Sequence, residues 1–77
     1  MMDMKQFVAN FAAQFDETDA TEFSAETHFR ELDEWSSLTA LSIIAMVDAE
    51  YGVQLKGEEI RNAQTITDLY VTVNTKL

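Results

Sequence analysis

Two adjacent serines, Ser36 and Ser37, and a single histidine, His28, are the first places to look for chemistry in this chain. A serine becomes a nucleophile when a neighbouring base takes its proton and nearby donors stabilise the charge that develops. His28 stands nine positions before Ser37, nothing in its surroundings is evident to orient it, and no G-x-S-x-G turn presents either serine. The residues therefore give no support to a self-activated hydrolase. Metal chemistry fares no better. His28 cannot build a zinc site by itself, and without cysteine there is no thiolate metal site. The acidic stretch DETDATEF, residues 16–23, lacks the alternating ligands and central glycine of a calcium loop.

A serine has a second use, as a passive acceptor modified by a separate enzyme. It must then be exposed, rigidly held and tolerant of a bulky anion. The first turn of a helix meets these needs, because its unpaired N–H groups and positive dipole end favour a phosphodiester. Ser37 stands at the start of the segment SLTALSIIAMVDAEY, expected to be helical, where such a group would be attached. Either Ser36 or Ser37 could instead be the N-cap, the commonest role of serine at such a position. Spacing alone favours the cap over the acceptor.

The elements that position these serines follow from periodicity. Met4, Phe7, Val8, Phe11 and Phe15 recur every three or four residues and predict an amphipathic first helix with Asp3 as its N-cap. Three phenylalanines on that stripe read as core. Residues 16–35 show no sustained period and predict a long, mostly irregular connection, with a short turn around residues 21–26. Phe23, Phe29, Leu32 and Trp35 are its packing residues. The second helix is expected over residues 37–51, ending at Gly52 in the left-handed position after the last turn. Its apolar residues do not make one stripe. Ile43, Val47 and Tyr51 share a face flanked by Ala40 and Ile44, whereas Leu38, Leu41 and Ala45 lie on another side with Ser37, Ser42 and Asp48. The first face is core; the second is either buried too or offered to a partner. A short helix is expected around Ile60. Thr65-x-x-Asp68 resembles a capping box, and Ile66, Leu69, Tyr70 and Val73 predict a last helix despite the β-branched YVTVNT. The expected fold is all-α: a small four-helix bundle with three longer helices, one short helix and a long loop between the first two.

Length and composition bound the rest. Seventy-seven residues make a single domain, residues 1–77, whose stability rests on apolar packing, and a hydrophobic content of 47% allows that. Fourteen acids against five Lys and Arg give a formal charge of -9, which phosphate backbones repel and basic protein partners complement. No segment reaches the ~20 apolar residues of a membrane span. The N-terminal MMDMKQFVANF lacks the basic and apolar regions of a signal peptide. A cytoplasmic monomer that binds neither nucleic acid nor membrane is expected.

Residues 29–55, FRELDEWSSLTALSIIAMVDAEYGVQL, resemble the acyl carrier protein family: an aromatic, a leucine-containing turn, Ser-Leu, an apolar-rich helix ending in acid and aromatic, then a short extended piece. GEEIRNAQTITDLY, residues 57–70, is similar to the family's short third helix and the start of its fourth. The first helix fits by position and pattern only. The resemblance implies a four-helix bundle of acyl-carrier type that is not itself an enzyme. It implies 4'-phosphopantetheine on Ser37, the serine followed by Leu38, with acyl or aminoacyl cargo held as a thioester. It also implies partners: a phosphopantetheinyl transferase, and loading and using enzymes of fatty-acid, polyketide or related biosynthesis with basic docking patches. The matching docking positions are Leu38, Leu41, Ala45 and Asp48. Ser36 stands where the family usually has an acid, and Ser36, Thr39 and Ser42 occupy positions often acidic in fatty-acid carriers. Asp33 and Glu34 are expected to compensate. Phe7, Phe11, Ile43, Val47, Ile60, Ile66 and Leu69 are the candidate residues around which a cargo chain inserts, with Met46 either adaptable or at the surface. The alternative is an acidic interaction module that keeps this fold without being modified.

Overall fold

Asp3 opens the first helix, α1 (Met4–Ala12), by accepting a hydrogen bond from Lys5 N, and Phe7 and Phe11 on its inner stripe are fully buried. The computed structural model describes residues 3–77; Met1 and Met2, which begin the N-terminal segment read above, lie outside it. Helix α2 (Ser37–Tyr51) follows the long connection, and the short α3 (Gly57–Asn62) and α4 (Ile66–Thr75) complete a four-helix bundle. Among the described residues there is no strand, only a single bridge between His28 and Thr65.

Helix ends fall where local chemistry places them. Gly52 takes φ of 66°, a left-handed conformation costly for residues with a Cβ, and its N–H bonds Asp48 O at 2.9 Å to close α2. Thr65 and Asp68 form the expected capping box at α4: Asp68 N donates to Thr65 Oγ1, and Thr65 N donates to Asp68 Oδ2. The backbone N–H groups of Gln64 and Thr65 hold the Asp68 carboxyl below its ordinary value. This cap outweighs the strand propensity of YVTVNT, because Ile66, Leu69 and Val73 bury one helical face completely.

The connection, residues 13–36, is irregular but anchored. It contains two 3-10 turns, Ala20–Glu22 and Phe29–Glu31, the first near the expected turn and the second unforeseen. Its aromatic residues join α1: Phe11 lies 5.5 Å from Phe29 and 6.1 Å from Phe23 between ring centroids, and Phe15 lies 4.9 Å from Phe23. Trp35 closes the cluster, 4.9 Å from Phe29 and 6.4 Å from Phe15. Such ring pairs favour tilted and offset arrangements, so they fix the loop's path as well as burying it. The middle of the connection is tied to α4, where Thr67 N and Oγ1 both donate to Ala25 O, at 2.9 and 2.7 Å. No helix of the described residues is long and apolar enough to cross a membrane.

Candidate functional site

The last residues of the connection and the first turn of α2 form one hydrogen-bonded unit. Ser36 has extended backbone angles, φ -158° and ψ 176°, and its Oγ accepts from Thr39 N at 3.3 Å. Its carbonyl accepts the first helical bond, from Ala40 N at 3.0 Å. Ser36 is therefore the N-cap. Thr39, one of the positions read as often acidic, is buried and donates from Oγ1 to Glu34 O at 3.0 Å. It belongs to the support of the helix start and not to its outer face.

Ser37 is the first residue inside the helix and is exposed. Its Oγ has no hydrogen-bond partner among the described residues, so its hydroxyl is held at a rigid position without being used there. The N–H groups of Ser37 and Leu38 precede the first intrahelical bond and have no acceptor within the helix. A free hydroxyl beside two free amides at the positive end of a fifteen-residue helix suits an attached phosphate ester.

Glu34 has a structural use that its expected docking role did not foresee. One carboxylate oxygen accepts from Glu17 N, Thr18 N and Thr18 Oγ1 at 3.0, 2.9 and 2.7 Å, and the other from Asp16 N at 2.7 Å. The Thr18 hydroxyl, followed by these backbone amides, holds the carboxyl below its ordinary value. Glu34 thus clamps the start of the connection to its end, one residue before Trp35. Asp33 remains exposed beside it.

The outer face of α2 is as the sequence divided it. Leu38 and Leu41 are 76% and 60% exposed, and Ala45 and Asp48 lie exposed along the same side. The inner face carries Thr39, Ile43, Met46 and Val47, so Met46 packs in the core instead of at the surface. Around the corner from Ser37 a groove of about 510 Å³ runs between α2 and α3. Trp35, Ala40, Leu41, Ile44 and Ile60 are its apolar walls; Ser36, Ser37, Gly57, Arg30 and Arg61 complete its border. Of the seven residues expected around a cargo chain, Ile60 alone borders this groove. Phe7, Phe11, Ile43, Val47, Ile66 and Leu69 are fully buried in the helix-packing core. His28 borders a separate depression with Arg30, Glu31 and Gln64.

The sequence reading missed the groove, although part of it was accessible. Ser37, Ala40, Leu41 and Ile44 have the spacing of one helical stripe, which predicts a common side. Their convergence with Ile60, Arg30 and Arg61 depends on how α3 and the second 3-10 turn pack, and no local pattern encodes it.

Neither the curated proteins nor the solved structures contain a match to this chain. A family model described as the phosphopantetheine attachment site matches residues 6–71, nearly the whole chain. That span takes in all of α2 and α3, most of α1, and the connection whose clamp and aromatic cluster present Ser37. Members of the family are carriers that catalyse nothing themselves. With its four-helix bundle and this match, the chain belongs to the phosphopantetheine attachment-site family, the acyl carrier domains.

Proposed function

We propose that this protein is a stand-alone carrier, modified with 4'-phosphopantetheine on Ser37 and delivering acyl or aminoacyl groups between enzymes. The observation that carries the reading is the division of labour between the two serines. Ser36 satisfies Thr39 N and is committed to the cap, whereas Ser37 Oγ is exposed and unengaged. When attached, the group supplies a terminal thiol able to hold an acyl group as a thioester.

The chain's own residues supply everything except that thiol and the chemistry of attachment. Ser37 has no base beside it, so its hydroxyl proton must leave to a base on a separate transferase. Ser36, Thr39 and Glu34 fix the helix start, which presents the hydroxyl at a defined place with little entropy left to lose on docking. Leu38, Leu41 and Ala45 offer an apolar contact surface, with Asp48 at its lower end. The overall charge of -9 steers partners that carry basic patches. Tethering then raises the effective concentration of cargo at each docked partner. The acids that usually line the top of this face are absent: Ser36 and Ser42 are neutral and Glu34 is engaged by the loop. Docking there rests on the leucines more than on charge, which favours dedicated partners with apolar pockets.

The test is intact mass after incubation with a transferase and coenzyme A. Wild type and Ser36→Ala should each gain one phosphopantetheine, and Ser37→Ala should gain none. A wild-type chain that stays unmodified with several transferases, yet captures a partner as well as Ser37→Ala does, would instead make the protein an unmodified interaction module.

A further inference from the structure

Both arginines of the chain, Arg30 and Arg61, border the groove beside Ser37, and no Asp or Glu borders it. In a protein with fourteen acids and five Lys and Arg, this is a local inversion of charge. The depression on the connection shows the opposite composition, with Glu17, Glu22, Asp33 and Glu34 and no cation.

The two guanidinium groups are held differently. Arg30 is fixed: Nη1 donates to Ile60 O at 2.9 Å and also to the Ala63 carbonyl, and its guanidinium carbon lies 5.5 Å from the Phe29 ring centroid. A guanidinium has five N–H donors in a planar fork, so these bonds leave donors to spare. Arg61 reaches back along α3, where a Cβ built on Gly57 would lie 3.4 Å from its Nη1. Its guanidinium therefore lies beside Gly57, itself at the border of the groove. Arg61 has no carboxylate partner among the described residues, whose one ion pair joins Lys76 to Glu59.

We propose that this groove selects acyl groups ending in a carboxylate: Trp35, Ala40, Leu41 and Ile44 cover the methylenes, and Arg61, with Arg30, holds the terminal acid. The proposal rests on the carrier reading for the point of attachment, and it deepens that reading by naming the cargo class. The volume, about 510 Å³, falls within the ~300–1,000 Å³ typical of small-molecule sites. A guanidinium fork matches a carboxylate in shape and charge, which an uncharged chain of the same length cannot exploit. Neutral chains can occupy the walls but gain nothing at the rim.

A synthetic tether tests the groove independently of any transferase. The chain has no cysteine, so Ser37→Cys in the full-length protein gives a unique thiol at the right place. It is alkylated with haloacetamide chains of equal length, one ending in a carboxylate and the other in a primary amide. Emission from Trp35, the sole tryptophan and a wall of the groove, reports occupancy, and thermal denaturation reports stabilisation. Both adducts should shift Trp35 emission. The carboxylate adduct should melt about 2–5 °C above the amide adduct at low salt, and Arg61→Gln should abolish that difference while leaving the emission shift. Arg61→Lys should retain part of it. Equal melting of the two adducts, a preference that survives in Arg61→Gln, or unchanged Trp35 emission in both would each overturn the proposal. Failure of a transferase to modify Ser37 would remove the carrier reading and leave this result standing. Equal adducts would remove the proposed cargo class and leave the carrier reading intact.

Discussion

The two faces of α2 are built from similar residues and do opposite things. The inner face buries Ile43 and Val47 completely, with Met46 and Thr39 beside them, against α1 and the rest of the core. The outer face leaves Leu38 and Leu41 mostly in water, although leucine is as apolar as anything within. A helix with apolar residues on all sides is either surrounded by protein or waiting for it. Here the bundle surrounds one side only. The comparison teaches that the outer leucines contribute little burial to the fold, so they are the residues whose loss separates stability from the proposed docking.

The sharpest way to break the comparison is at its buried side. Ile43→Ala removes packed methyl groups from a fully closed site and should cost about 2–5 kcal/mol, a large share of the ~5–15 kcal/mol available to a typical small domain. Urea denaturation should show the midpoint falling steeply. A smaller effect is expected at the junction of the faces. Ser36→Ala leaves Thr39 N without its cap and should cost about 0.5–2 kcal/mol by the same measurement, while leaving Ser37 available.

Next comes the clamp that delivers the chain to α2. The folded-state carboxyl of Glu34 titrates below its ordinary value of 4.5, so its contribution is fully present above that pH and fades as pH falls through the folded value. Glu34→Gln should therefore flatten the loss of thermal stability on acidification below about pH 4.5. Asp19, Glu59 and Asp68 are depressed by their own hydrogen bonds and should preserve the remaining slope. An unchanged pH profile would show that the four contacts to Asp16, Glu17 and Thr18 do not hold in solution. The smallest stability effect belongs to the outer face. Leu41→Ala should change unfolding free energy by less than about 0.5 kcal/mol, yet weaken transferase or partner binding by about tenfold in a titration.

The sequence disclosed some of this better than the rest. Helix α1, the end of α2 at Gly52 and the box of Thr65 with Asp68 were legible because each is encoded within a few consecutive residues. The two-sided character of α2 was legible for the same reason. Glu34 was not: its partners at Asp16, Glu17 and Thr18 are sixteen to eighteen positions away, and an acid near a docking surface looks like a docking charge. The groove beside Ser37 was not foreseen because periodicity distinguishes apolar faces but not a closed core from an open groove. Ile43 and Ile44 are adjacent and identical in type, yet Ile43 is sealed within the bundle and Ile44 borders the groove. Helical rotation turns them to different neighbours, and the packing of α3 against α2 is what makes a groove of Ile44's side.

The account depends most on which serine is used, and one peptide decides it. Trypsin cuts after Arg30 and Lys56, so both serines fall within residues 31–56 of the protein recovered from its native cells. Fragmentation between positions 36 and 37 in the mass spectrometer should place a phosphopantetheine on Ser37 and leave Ser36 bare. An arm on Ser36, or both hydroxyls unmodified in every molecule, would contradict the account.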